Sequence, residues 1–227
     1  MDNFVLVLGA SPDVELPKKI PLHTYCANAA IVLAKAYLDI EADYAKKTTL
    51  VTSGLQIQRE DVLIGFRLIQ PHRVIIRRRQ VPDNIKEENK NVTFLTYSND
   101  RKQELFQKIF LGIGWYKAHL QAAFKVNDSK FLQRAASLLL NKQQTGFSTG
   151  LYSVLIAASE HPHANIVISG ISLAEGVHFD SSKKYSVYRA LRDEHLFKYL
   201  PGTIRKRMYT NNPETAKIGK INLIRDL

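Results

Sequence analysis

The stretch Phe4-Val5-Leu6-Val7-Leu8-Gly9-Ala10-Ser11-Pro12 begins with five consecutive apolar residues and ends in a sharp stop. A short, uninterrupted apolar run marks a strand covered on both faces, as in a parallel sheet. Working outward, Thr48–Thr52, Arg73–Ile76 and residues 92–96 and 166–169 read as further strands, with 220–224 as a closing one. Residues 25–38 are rich in alanine and leucine and read as a helix. Residues 101–112, 131–140, 149–159 and 183–200 carry helical spacing, while 61–68 are apolar without a clear period. The polar, charged segment 82–90 is the loop expected to be most mobile. Strands alternating with helices predict an α/β fold: one Rossmann-like domain over 1–227, its sheet mostly parallel, with helices on both faces. Ligands of such sheets bind beyond the carboxyl ends of the strands. That directs attention to the turns after Leu8, Thr52 and Ser169.

Composition narrows the partners. Hydrophobic residues at 45% and charged residues at 23% describe a globular chain rather than a disordered one. Lysine and arginine number 32 against 21 acidic residues, leaving a net +11 that calls for an acidic partner. Cys26 is the one cysteine, which excludes an intramolecular disulfide and a cysteine-only metal site. No apolar run reaches the ~18 residues of a spanning helix. The N-terminus lacks the positive lead of a secretory signal, so a soluble, intracellular protein is expected.

Five segments have the residue types that chemistry needs. Gly9 lets the chain turn sharply at a strand end, where amides can meet a phosphate, although Ser11 stands where a G-x-G-x-x-G fingerprint has its second glycine and the fingerprint is absent. Asn28 offers donors and an acceptor, or caps a helix. Ser148 and Thr149, before Gly150, cap the next helix or line an anion site. Ser169-Gly170-Ile171-Ser172 ends a buried strand, with His178 in the loop beyond. Arg189, Arg192 and His195 lie three and six residues apart on one helical stretch. His161-Pro162-His163 looks like a metal pair, but the proline favours a turn and no acidic or sulfur partner is near in sequence, so no metal site is expected. Arg77-Arg78-Arg79 reads as a solvated loop edge.

In order and content these segments resemble the bacterial sialyltransferases of glycosyltransferase family 42 and related transferases that use CMP-activated sugars. Gly9-Ala10-Ser11-Pro12-Asp13 is similar to the family's G-x-G-P-S turn, and Cys26-Ala27-Asn28-Ala29-Ala30 to its asparagine segment. Ser148-Thr149-Gly150-Leu151-Tyr152 resembles its T-S-G-I-Y motif, and Ser169-Gly170-Ile171-Ser172 its S-G-I-D strand end, with serine in place of aspartate. Tyr209 to Glu214 resembles a closing T-x-x-P-E segment.

The resemblance implies an inverting, metal-independent transfer of a sialic acid or related keto-sugar, such as Kdo, from a CMP donor to a glycan or glycolipid acceptor. No cofactor is implied. Gly9, Ser11 and Asn28 would hold the nucleotide, and Ser148, Thr149, Gly150, Gly170 and Ser172 would line the donor. Arg189 and Arg192 would contact the acceptor or the phosphate. Where the family has its general base, His195 is the natural match; aligned on Arg189, however, the base position falls on Leu191, and His178 competes for the role. The expected location is cytoplasmic, at the inner face of an anionic membrane. The alternative is a non-enzymatic binder of nucleic acid or an anionic surface, which the +11 charge favours. The lack of an aromatic ladder beside the arginines argues against nucleic acid.

Overall fold

In the computed structural model, residues 3–11, 14–110, 117, 120–121, 147–173 and 187–224 are described, without the side chains of 187–190 and 192. The strands are β1 (Phe4–Leu8), β2 (Thr24–Ala27), β3 (Thr48–Thr52), β4 (Arg73–Ile76), β5 (Thr93–Thr96), β6 (Asn165–Ser169), β7 (Met208–Thr210) and β8 (Asn222–Leu223). They form one sheet in the order β5-β4-β3-β2-β1-β6-β7-β8, and each adjacent pair runs parallel. The fold is α/β and Rossmann-like, and its sheet is wholly parallel where a mostly parallel one was expected.

The described helices are α1 (Lys35–Leu38), α2 (Glu60–Ile69), α3 (Asp83–Glu88), α4 (Asn99–Phe110), α5 (Thr149–Glu160), α6 (Val187–Tyr199), α7 (Gly202–Arg205) and α8 (Pro213–Gly219). Successive strand residues point to opposite faces, and both faces of β1 are buried. Val5 and Val7 join Tyr25, Val51 and Ile75 under Phe106 of α4, Leu155 of α5 and Phe197 of α6. Phe4, Leu6 and Leu8 join Cys26, Leu50 and Val74 under Tyr37 of α1, Phe66 of α2 and Ile85 of α3. That two-sided burial is why β1 reads as a continuous apolar run. Among the described residues no helix is long and apolar enough to cross a membrane.

Two expectations change, and one open segment is assigned. The helix expected over 25–38 is instead β2 followed by a 3-10 helix (Asn28–Ala34) and the short α1. A four-residue strand entering a helix directly leaves no break to read. The segment 82–90 holds α3, whose Ile85 is buried, so it is not simply a loop. Residues 61–68, left open between helix and strand, form α2. The helix expected at 131–140 lies outside the described residues, and β7, α7 and α8 were not anticipated.

The chain leaves β1 toward β2–β5 on one side and comes back through β6 on the other. This reversal is the point where open α/β sheets form their ligand crevice. Here Leu8 pairs with Ser169, and the two turns that follow are laced together. The Gly9 N–H donates to the Ser169 carbonyl (2.8 Å) and the Ser11 N–H to the Gly170 carbonyl (3.0 Å). A Cβ on Gly9 would run into the Gly170 carbonyl, and Gly170 itself has a φ of +69°. Gly9→Ala should therefore lower stability by about 2 kcal/mol or more, within the range of a strained backbone position. Gly202→Ala, whose Cβ meets nothing within 4 Å, should change it by less than about 0.5 kcal/mol. Urea midpoints of the two variants test the contrast; equal midpoints would contradict it.

Candidate functional site

At the β1–β6 crevice, the Gly9 and Ser11 amides that the sequence assigned to a phosphate are committed to the β6 turn. The half-buried Ser11 and Ser172 are the polar side chains of these turns. Thr215, at the start of α8, donates its hydroxyl to the Ile171 carbonyl (3.2 Å), and Asn212 caps α8 by accepting the Thr215 N–H (2.8 Å). The C-terminal motif segment thus supports the β6 turn.

Asn28 stands beside this crevice at the carboxyl end of β2. Ala27 is the cap residue of the 3-10 helix and no side chain caps it, so Asn28 is not the cap its position suggested. Its φ is 52°, in the left-handed region that asparagine tolerates better than most residues. Thr52 Oγ1, at the buried end of β3, donates to Asn28 Oδ1 at 3.0 Å. The half-buried amide is therefore fixed at the carboxyl edge of the sheet by an adjacent strand.

The N-terminus of α5 completes the crevice. Ser148 caps it, its Oγ accepting the Leu151 N–H at 3.1 Å. Ile171 packs within 3.1 Å of where a Gly150 Cβ would lie, so the helix start sits on the β6 turn. The Ser148 N–H donates to both carboxylate oxygens of Asp193 on α6, each at 3.3 Å. Asp193 is 3% exposed, and a carboxylate at a helix N-terminus is held there by the helix dipole. Nothing in the sequence marked Asp193, because its partner is 45 residues away.

The histidines are placed less simply. His195 is buried on α6, two residues after Asp193. The backbone of Arg189 and Arg192 belongs to α6, but their side chains, and all of His178, lie outside the described residues. The structure thus brings Gly9, Ser11, Ser148, Gly150 and Gly170 to one crevice, with Asn28 beside it.

A basic corner adjoins Asn28 and Thr52. The Arg77 N–H donates to the Thr52 carbonyl (2.8 Å), and Arg77 Nη1 donates to the Phe147 carbonyl (2.6 Å) just before α5. The Arg77 guanidinium lies 4.8 Å from the centroid of the Tyr152 ring. Arg77 and Arg78 are half-buried, so the expected solvated loop edge applies to Arg79 alone. Lys102, in the first turn of α4, is 6% exposed. Burial, Arg78 and Arg77 together lower its pKa to about 8.

The opposite, amino-terminal edge holds a second polar cluster. Tyr25 Oη donates to Glu160 (2.6 Å) and lies 3.0 Å from His161 Nε2. Arg73 donates to the same Glu160 oxygen (2.6 Å). His23 Nε2 meets Thr49 Oγ1 at 2.8 Å, and its ring lies 5.5 Å from that of His72 and 5.7 Å from that of His161. The Arg207 guanidinium closes the end of α5 on the Ala158, His161 and Ala164 carbonyls. Among the described residues no group of three or more His, Cys, Asp or Glu side chains is arranged to hold a metal ion. Sequence reasoning missed this cluster because its members come from three strands and a helix end.

Comparison with family models, curated proteins and solved structures returns no match for this chain.

The amino-terminal cluster makes a pH prediction. Burial, then His72, Arg73 and His161, push the His23 pKa down from 6.5 to about 3. Burial also lowers His72 and His161. The folded state then binds fewer protons than the unfolded one, so stability is full above pH 6.5 and falls as the pH drops toward 3. Urea midpoints measured across that window should fall, and His23→Gln should flatten the fall. An unchanged slope in the variant would remove His23 as its cause.

Proposed function

We propose that this chain is a glycosyltransferase that moves a sialic acid or related keto-sugar from a CMP donor to a glycan acceptor. The observation that carries the reading is Asn28. It is half-buried at the carboxyl edge, has a left-handed backbone, caps no helix and is fixed by Thr52. Non-glycine residues in this conformation concentrate at functional sites. The choice of CMP and of a keto-sugar rests on the motif resemblance of Gly9, Asn28, Ser148–Gly150 and Gly170–Ser172.

In this mechanism the acceptor hydroxyl oxygen attacks the anomeric carbon and forms the new bond. The bond from that carbon to the phosphate oxygen breaks, and CMP leaves with the electron pair. The hydroxyl proton passes to an imidazole, for which His195 and His178 are the candidates; a neutral histidine suits this work near pH 7. Ser11, Asn28, Thr149 and Ser172 are the polar side chains that orient the donor. The reaction inverts the anomeric centre and uses no metal. The proposed location is cytoplasmic, at the inner face of an anionic membrane.

Purified protein with a CMP-sugar tests the reading through CMP release and calorimetry. Asn28→Ala should weaken CMP binding about tenfold, the loss of one good hydrogen bond, without changing the circular dichroism. His195→Ala should abolish turnover but retain CMP binding if His195 is the base. Neither CMP release nor CMP binding by the wild type would overturn the proposal. The net +11 favours one second reading, a polyanion binder, which predicts steeply salt-dependent affinity for DNA or RNA in the same preparation.

A further inference from the structure

We propose that the outer face of α2, with the helical segment packed beside it, is a self-association surface, and that its partner is a second copy of this chain docked antiparallel about a twofold axis beside Ile64. The surface does not depend on which substrate the carboxyl edge of the sheet takes.

An apolar excess on the outside marks the face. α2 buries Val62, Phe66 and Ile69 beneath it, and a helix with one apolar stripe is ordinarily polar on the other side. Ile64 and Leu68 are instead 56% and 46% exposed. Residues four apart are neighbours on a helix surface, so the two form one outward stripe. The adjoining segment, the 3-10 helix Asn28–Ala34 followed by α1, adds the exposed side chains of Val32 and Ile40. The two segments are pressed together. A Cβ on Gly65 would lie 2.6 Å from Ile31 Cγ2 and 3.1 Å from the Val32 nitrogen. Backbone contact this close makes a single layer with its apolar side chains already in place, which limits the ordering cost of association. Exposed apolar residues scattered singly need no partner, but a group gathered on one layer marks an interaction site.

Charge selects the occupant. The exposed ionic side chains of the layer are Lys35 and Arg67 against Asp39, Glu60 and Asp61. An anionic membrane or a nucleic acid selects an excess of cations, and this layer lacks one although the chain carries a net +11. The order of charges along α2 suits α2 itself. Glu60 and Asp61 precede Ile64 by four and three residues, and Arg67 follows it by three. Two copies of α2 running antiparallel beside Ile64 bring Arg67 of one protomer level with Glu60 and Asp61 of its partner, at both ends. A parallel pairing would set like charges side by side. A twofold contact uses the same patch on both subunits and requires this self-complementarity.

The charged groups can turn to a partner. Arg67 reaches Glu88 of its own chain at 3.5 Å, between side chains that are both more than half exposed, and such pairs are worth little. Asp61 is held by Arg59 at 2.7 Å, and an ionised carboxylate has acceptor sites for a further donor. A layer of two short helices is smaller than the roughly 800 Å² per partner of a standard interface. The dimer is therefore reversible and forms in the micromolar range.

Sedimentation velocity on the full chain from about 1 to 200 µM tests this, and the wild type should pass from monomer to dimer across that range. Ile64→Asp puts two carboxylates at the axis and should raise the dissociation constant about a hundredfold or more. Because Ile64 is exposed, the circular dichroism and urea midpoint of this variant should match the wild type. Glu60→Arg and Arg67→Glu should each weaken the dimer several-fold. Mixed together, the two variants should associate more tightly than either does alone, because the mixed pair regains opposite charges across the axis. A wild type that stays monomeric at 200 µM, or a dimer that Ile64→Asp leaves intact, would overturn the proposal. No gain on mixing would overturn the antiparallel axis. Ile64-dependent binding of a monomeric wild type to phosphatidylserine vesicles would give the face to a lipid surface and overturn the second copy.

Discussion

The turns that follow β1 and β6 touch, and much of the ligand edge depends on that contact. Gly9 and Gly170 leave no room for a Cβ between the two backbones. Hydrogen bonds from the Gly9 and Ser11 amides then tie the β1 turn to the β6 turn. With the β6 turn placed, Ile171 supports the start of α5 at Gly150, and Thr215 supports Ile171 from below. Asp193 accepts the Ser148 amide and brings α6 to the same place. A crevice in an α/β sheet is usually described by what it can bind. Here its shape is first a consequence of two glycines packing backbone against backbone.

α5 carries this arrangement across the sheet. Its 12 residues span about 18 Å, roughly the height of a strand layer. At its start are Ser148, Asp193 and the Arg77 contact with Phe147. At its end are Glu160, His161 and the carbonyls closed by Arg207. The two ends differ in electrostatic character. At the amino-terminal edge Arg73 is neutralised by Glu160 inside a network of histidines and Tyr25. At the carboxyl edge Arg77 holds the Phe147 carbonyl and lies against the Tyr152 ring.

Much of the fold was legible because burial on both faces writes itself into composition. Phe4–Leu8, Thr48–Thr52 and Arg73–Ile76 appear in the structure with the expected bounds. β2 was hidden because four residues running straight into a 3-10 helix resemble one alanine-rich helix. α3 was hidden because one buried residue, Ile85, gives a helix no period to detect. Of the site, the turns at Gly9 and Gly170 were visible as punctuation after apolar runs, and Ser148 as a capping residue before a helix. Asn28 was visible as a polar residue, but its release from capping was not.

The sequence by itself determined the parallel α/β sheet, the glycine turns at its carboxyl edge and the cationic character of the chain. Each follows from local apolar runs, glycine stops and a charge count. Only the tertiary structure decided which polar groups meet. Ser148 finds Asp193, Asn28 finds Thr52, and Arg77 finds the Phe147 carbonyl, each across at least 24 residues of chain. The physical reason is that periodicity records which face a residue buries, whereas strand order and helix packing set its distant neighbours.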